Sequence, residues 1–256
     1  MRIPINSIPT MVKLLKTLKN TKHGDLDGSL LLSSTAIVYY SKEDLAHTED
    51  LSSHCDARII WGGKEAIETI SNTPKKENCE DIIFGPKYSF AIIDKGIVND
   101  KALLKKNMEK LAYDILFSEQ DSCTSPQVLI CEAKYSDLNK IALELKNSFD
   151  NLPEKFKKRE ITMFDASNII RIRSEYAIED SKDLIISKSG NDWTILMDKD
   201  FKLEDPIRSR TIFIKSCDNL DDVGNLITSK IQTIGYAFKN KDNLLKLGKD
   251  LNLRGV

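Results

Sequence analysis

The sharpest chemistry in this sequence rests on one cysteine in a polar loop. Cys123 sits in FSEQDSCTSPQVLICE, between a helical pattern that ends near Phe117 and a strand-like run that opens at Gln127. A thiol in such a loop is open to substrate as a core cysteine is not, and its own backbone N–H can hold a developing oxyanion. Cys131 falls inside the following run and reads as a small buried hydrophobe, while Cys55, Cys79 and Cys217 carry no companion motif. Most single cysteines are structural, so loop context alone favours no catalytic role. The three histidines, His23, His47 and His54, all lie in the first 54 residues. A through-space dyad of His47 or His54 with Cys123, as in a hydrolase, stays open as an alternative. His47, His54 and Cys55 match no zinc spacing.

A second feature is RIIWGGKEAIETI (58–70), where a β-branched run meets Gly62-Gly63 and then a helix pattern with Ala66, Ile67 and Ile70 on one face. Such a junction turns backbone N–H groups and the positive helix end toward an anion, although a tight strand-to-helix turn accounts for it equally well. A third is DIIFGPKYSFAIID (81–94), two apolar pieces broken at Gly85-Pro86-Lys87, which reads as a hairpin or a kinked strand.

The elements that must position these residues follow from periodicity. Strands are expected at 30–40, 57–63, 81–85, 88–94, 127–132, 183–190, 192–198 and 210–217. Helices are expected at 8–19, 99–117, 135–149, 160–175, 219–231 and 241–251. The alternation implies an α/β fold with a largely parallel sheet, divided into residues 1–95 and 96–256. The chain has 256 residues, 41% of them hydrophobic and 30% charged, values of an ordinary globular protein. Its 38 basic and 39 acidic residues give a net charge of −1, without the basic excess of a nucleic-acid binder. The basic run 153–159 reads as a solvated linker or helix face. No apolar run approaches the ~20 residues of a membrane span, and no signal peptide is recognisable, so a cytoplasmic protein is expected.

Taken in order, these motifs resemble the aldehyde dehydrogenase superfamily and, within it, the acyl-CoA reductases of the LuxC type. DARIIWGGKEAI is similar to the segment entering the cofactor helix, and FGPKYSFAIID to the stretch those enzymes write as ELGGK. SEQDSCTSPQV resembles the nucleophile loop, RTIFIKSCDNLDDV and LITSKIQTIGYAF the later catalytic-domain pattern, and RIPINSIPTMVKLL the strand at the adenosine half of the dinucleotide. The resemblance implies an incomplete Rossmann-type cofactor domain (1–95) and an α/β catalytic domain (96–256). It implies catalytic Cys123 with Gln120, and cofactor binding by Arg2, Trp61, Gly62 and Gly63. The implied reaction is reduction of an acyl-CoA or other acyl thioester to aldehyde by NADPH (or NADH) through an acyl-cysteine. The implied partners are further copies of the chain or an acyl-transfer subunit. Where hydrolytic members carry the glutamate that activates water, Ile83 stands here, which suits a site that excludes water. DPIRSR (205–210) replaces their EIFGP motif. The resemblance also implies truncation at both ends, and with it an alternative: an inactive remnant serving as a binding module.

Overall fold

The computed structural model describes residues 2–153, 156, 160–188 and 190–253. The basic side chains of the 153–159 run lie outside the described residues. The chain divides into two compact units, Met1–Gly85 and Pro86–Val256.

The first unit contains α1 (Ile8–Leu18), β1 (Lys22–His23), β2 (Leu26–Asp27), α2 (Gly28–Ser33), α3 (Leu45–His54), β3 (Ala57–Trp61), α4 (Lys64–Ser71) and β4 (Glu80–Phe84). β3 and β4 run parallel on either side of α4, in a register that sets Arg58 against Asp81. The Arg58 guanidinium donates to both Asp81 carboxylate oxygens at 2.7 Å, and Lys75 lies 3.0 Å from the same carboxylate. These partners, Arg58 above all, hold Asp81 down to a pKa of about 2. Ile60 is buried, whereas Ile59, Trp61, Ile82 and Phe84 are exposed.

The expected strand at 30–40 is overturned. Asp27 caps Ser29 N–H at 2.9 Å and starts α2 across Leu30–Leu32, leaving a single bridge from Arg2 to Val38. An Asx cap followed by three leucines favours the helix where no neighbouring strand competes.

The second unit contains β5 (Tyr88–Ile93), α5 (Lys95–Val98), α6 (Lys101–Leu116), β6 (Pro126–Glu132), α7 (Tyr135–Asp150), α8 (Met163–Ile178), β7 (Asp183–Ile186), β8 (Thr194–Asp198), β9 (Thr211–Cys217), β10 (Ile231–Ala237) and α9 (Lys241–Leu253). Its sheet has the order β10-β5-β6-β9-β8-β7, parallel except for the edge strand β7. Side chains of α6 and α7 pack one face against Leu129, Cys131, Ile212 and Ile214. Ile172 and Tyr176 of α8 and Leu247 of α9 pack the other against Phe90, Val128, Ile130 and Phe213. Coverage on both faces explains why β6 and β9 read as continuous apolar runs.

The structure corrects two further expectations. β4 pairs with β3, while β5 pairs with β6 and β10, so Gly85-Pro86-Lys87 is no hairpin turn but the place where the units part. The compact units divide along the chain between Gly85 and Pro86, and β5 is bonded into the second sheet. The helix expected over 219–231 is a 3-10 turn (Leu220–Leu226), capped by Asn219, followed by β10. β10 is an edge strand with most side chains exposed, so its apolar pattern is weak.

Candidate functional site

Cys123 lies in the loop between α6 and β6, at the amino edge of the parallel strands, and is half-buried. Its carbonyl accepts from Ser89 Oγ at 2.7 Å, a hydroxyl at the start of β5. Its backbone N–H has no protein acceptor among the described residues. Ser118 and Ser125 close the base of the loop through their hydroxyls at 2.8 Å, and Thr124 N–H donates to Ser122 Oγ at 3.3 Å.

Gln120 is 1% exposed, and its amide is committed entirely to backbone. Nε2 donates to Pro126 O at 2.8 Å and to Thr211 O at 3.1 Å, while Oε1 accepts from Thr211 N–H at 2.8 Å. Gln120, expected among the catalytic set, ties the loop to Pro126 and Thr211 through these bonds. Gln127 adds a bond to Gln120 O at 3.2 Å.

The opposing wall is the segment 204–211, which includes the DPIRSR run that stands in place of EIFGP. Glu119 and Gln120 have φ of 53° and 60°, and Arg208, Ser209 and Arg210 have φ of 64°, 51° and 58°. None is glycine, so each left-handed residue costs about 1–2 kcal/mol, held in place by tertiary bonds. The Arg210 guanidinium, 2% exposed, forms a bidentate pair with Glu119, with Nε at 2.6 Å from Oε2. Ser209 N–H donates to Glu119 O at 3.2 Å. The available signal was an arginine directly before a buried strand, where a cation requires a partner.

Residue 204 ends a buried charge network. Lys215, in the middle of β9 and fully buried, donates to both oxygens of Asp198 at 2.6 Å and to Glu204 at 2.8 Å. Tyr176 donates its hydroxyl to Asp198, and burial followed by this bond raises the phenol's pKa. The network fixes the start of a segment whose Asp205, Ile207 and Arg208 line a groove of ≈ 450 Å³. Lys87, Tyr88 and Phe164 line it too. Tyr88 precedes the serine that holds Cys123, and Arg208 faces Asp121 of the loop at 3.9 Å, so the groove adjoins the cysteine loop.

The other expected residues lie in the first unit. Gly63 caps α4 with no side-chain hydrogen bond, and a Cβ added to it would meet nothing within 4 Å. The N–H groups of the first α4 turn are thus open to an anion such as a dinucleotide phosphate, and the residues present fit that group. A Cβ on Gly62 would stand 3.1 Å from Ala66 Cβ, a close approach that keeps the turn tight. Trp61 is 78% exposed and stacks on Phe84 at 5.5 Å. Arg2 donates to Tyr40 O at 3.3 Å and lies 5.0 Å over the Tyr40 ring. His23, His47 and His54 also belong to this unit, and none lies in the unit of Cys123. His47 is bonded to Asp44 at 2.8 Å, which raises its pKa. No described helix is long and apolar enough to cross a membrane.

A family model described as acyl-CoA reductase (LuxC) matches residues 9–256. The long-chain acyl-protein thioester reductase of Vibrio harveyi is 28% identical over 218 residues, covering 83% of this chain and 43% of that protein. The enzyme of the same name from Photorhabdus laumondii is 25% identical over 228 residues, covering 85% and 45%. The chain thus spans less than half the length of these relatives. Among solved structures, the NADP-dependent glyceraldehyde-3-phosphate dehydrogenase of Bacillus halodurans, complexed with NADP, superposes with a TM-score of 0.64 at 16% identity. The match covers 89% of this chain and 52% of that one. The lactaldehyde dehydrogenase of Escherichia coli gives 0.62 at 12% identity, over 84% and 48%. These likenesses establish an aldehyde-dehydrogenase-like α/β fold.

Proposed function

The chain belongs to the LuxC family of acyl-CoA reductases, and from that premise we propose that it carries the acyl-accepting half of an acyl thioester reductase, with Cys123 as nucleophile. The observation that carries the reading is the Cys123 loop: a half-buried cysteine, a backbone N–H on it with no acceptor among the described residues, and a groove adjoining the loop.

The Cys123 thiolate adds to the carbonyl carbon of an acyl thioester seated in the groove, and the oxyanion is received by the Cys123 N–H. The carbonyl re-forms, the carrier thiol leaves with the electron pair of the old C–S bond and takes a proton, and the acyl group remains on Cys123. When bound, a reduced nicotinamide dinucleotide supplies the hydride for the second half-reaction. Gly62, Gly63 and the first turn of α4 are the residues suited to its phosphates, with Trp61 beside them. Cys123 then departs as thiolate and the aldehyde is released. Ile83 stands where the resemblance expects the water-activating glutamate of hydrolytic members, in keeping with transfer to hydride rather than hydrolysis. Gln120 and Ser89 hold the loop during both halves. Arg2, bonded to Tyr40, is the remaining cofactor candidate.

The carrier thiol is CoA or a protein, and NADPH is preferred over NADH in this reading. Intact mass after incubation with a long-chain acyl-CoA and no dinucleotide tests it, wild type beside Cys123→Ala. One acyl adduct on the wild type, absent from the variant, is expected. Folded protein without an adduct, from acyl-CoA and acyl-protein donors alike, removes the nucleophile and leaves a binding module.

A further inference from the structure

The strained residues of the cysteine loop and of the groove wall face one another across 91 positions of sequence. Both stretches adopt left-handed backbone without glycine, which tertiary bonds must impose. Gln120 binds the strand start at Thr211, Ser209 N–H binds Glu119 O, and the Arg210 guanidinium binds the Glu119 carboxylate in bidentate fashion. Arg210 is withdrawn from solvent, while the Glu119 side chain is one-third exposed at the root of the loop. Two residues before Arg210, Arg208 lines the groove; four residues after Glu119 comes Cys123.

We propose that Arg210 is a positioning residue for Cys123, its ion pair with Glu119 clamping the cysteine loop to the groove wall in the geometry that acylation requires. Arg210 touches no substrate. Glu119 carries the clamp to the loop, and Ser89 anchors its far end at the Cys123 carbonyl. A guanidinium suits the task because its planar fork fixes the direction of the carboxylate as well as its distance, which an ammonium does not. The proposal rests on the reading of Cys123 as acyl acceptor, and its test is built to fail separately.

The test compares wild type, Arg210→Met and Glu119→Gln by amide hydrogen exchange and by the acylation rate with a long-chain acyl-CoA. In Arg210→Met, exchange is expected to accelerate in peptides covering 117–126 and 207–211 and to stay unchanged in α7 and β10. The acylation rate constant is expected to fall about 10–100-fold, as for a displaced reacting group. The half-saturating acyl-CoA concentration is expected to stay within about twofold, because no binding contact is removed. Should Arg210→Met not fold, Glu119→Gln at its partly exposed site carries the same local signature. Unchanged exchange at 117–126 in either folded variant overturns the clamp, as does equal acceleration in every peptide. If wild type itself takes no acyl group, the nucleophile reading fails, and the exchange comparison still decides the clamp.

Discussion

Gln120 and Thr211 exchange hydrogen bonds in both directions: Oε1 receives the Thr211 N–H at 2.8 Å, and Nε2 donates to the Thr211 carbonyl at 3.1 Å. The side-chain amide thereby imitates a strand partner at the point where β9 begins, and ties the cysteine loop to the sheet. Replacing it by Leu takes this donor from the carbonyls of Pro126 and Thr211, while the Thr211 N–H keeps its second acceptor, Arg208 O, at 3.0 Å. Gln120→Leu is expected to cost about 2–4 kcal/mol in urea unfolding, each orphaned buried group contributing about 1–3 kcal/mol. Gln120→Glu sets a carboxylate against the carbonyls of Pro126 and Thr211 and is expected to be no better tolerated at neutral pH. Stability within about 0.5 kcal/mol of wild type in Gln120→Leu would contradict the bonding described.

Burial separates the five cysteines. The thiol of Cys217 is pushed up to about 12 by desolvation, that of Cys131 is raised likewise, and Cys79 is buried. Iodoacetamide at pH 8 is therefore expected to modify Cys123 and Cys55 in the folded protein, and all five cysteines only after unfolding. Peptide mapping after a short pulse measures this. Early labelling of Cys131 would mean that β6 is not the interior strand described.

Lys215 is a buried cation with two carboxylate partners. Lys215→Met leaves Asp198 buried beside Tyr176 without its counter-charge, and is expected to destabilise the second unit by about 3–5 kcal/mol. The double variant Lys215→Met/Asp198→Asn is expected to recover part of that loss, because the orphaned charge is gone. No recovery in chemical denaturation would show that the Lys215 contribution is packing rather than charge compensation.

Asp81 gives the first unit an acid-sensitive contact. Its folded pKa of about 2 lies below the usual carboxylate value, so its contribution is full above the unfolded pKa, near 4. That contribution is lost as pH falls from about 4 to about 2. For a group this near the surface it amounts to ~1–2 kcal/mol. Asp81→Asn is expected to flatten the stability of this unit over that window, measured by far-UV circular dichroism of unfolding at each pH. An unchanged pH profile in the variant would place the acid sensitivity elsewhere.

The sequence by itself determined which segments form the second sheet's interior and that Cys123 stands in a loop between a helix and a strand. The VLIC core of QVLICE and the IFI core of RTIFIKSC are continuous rather than alternating because both sheet faces are covered, and that is a local pattern. A Ser/Thr/Pro-rich loop around Cys123 between a helix and such a strand is likewise local. Tertiary structure alone decided the pairings. It made 28–33 a helix for want of a neighbouring strand and turned Gly85-Pro86 into the parting of two units. It also brought β10 across the sheet to the edge beside β5. It decided as well that the Gln120 amide is bonded to Thr211, and that Arg210 pairs with Glu119. Those facts depend on contacts between residues 91 apart, and no spacing along the chain encodes which distant partner will satisfy a buried amide or a buried guanidinium.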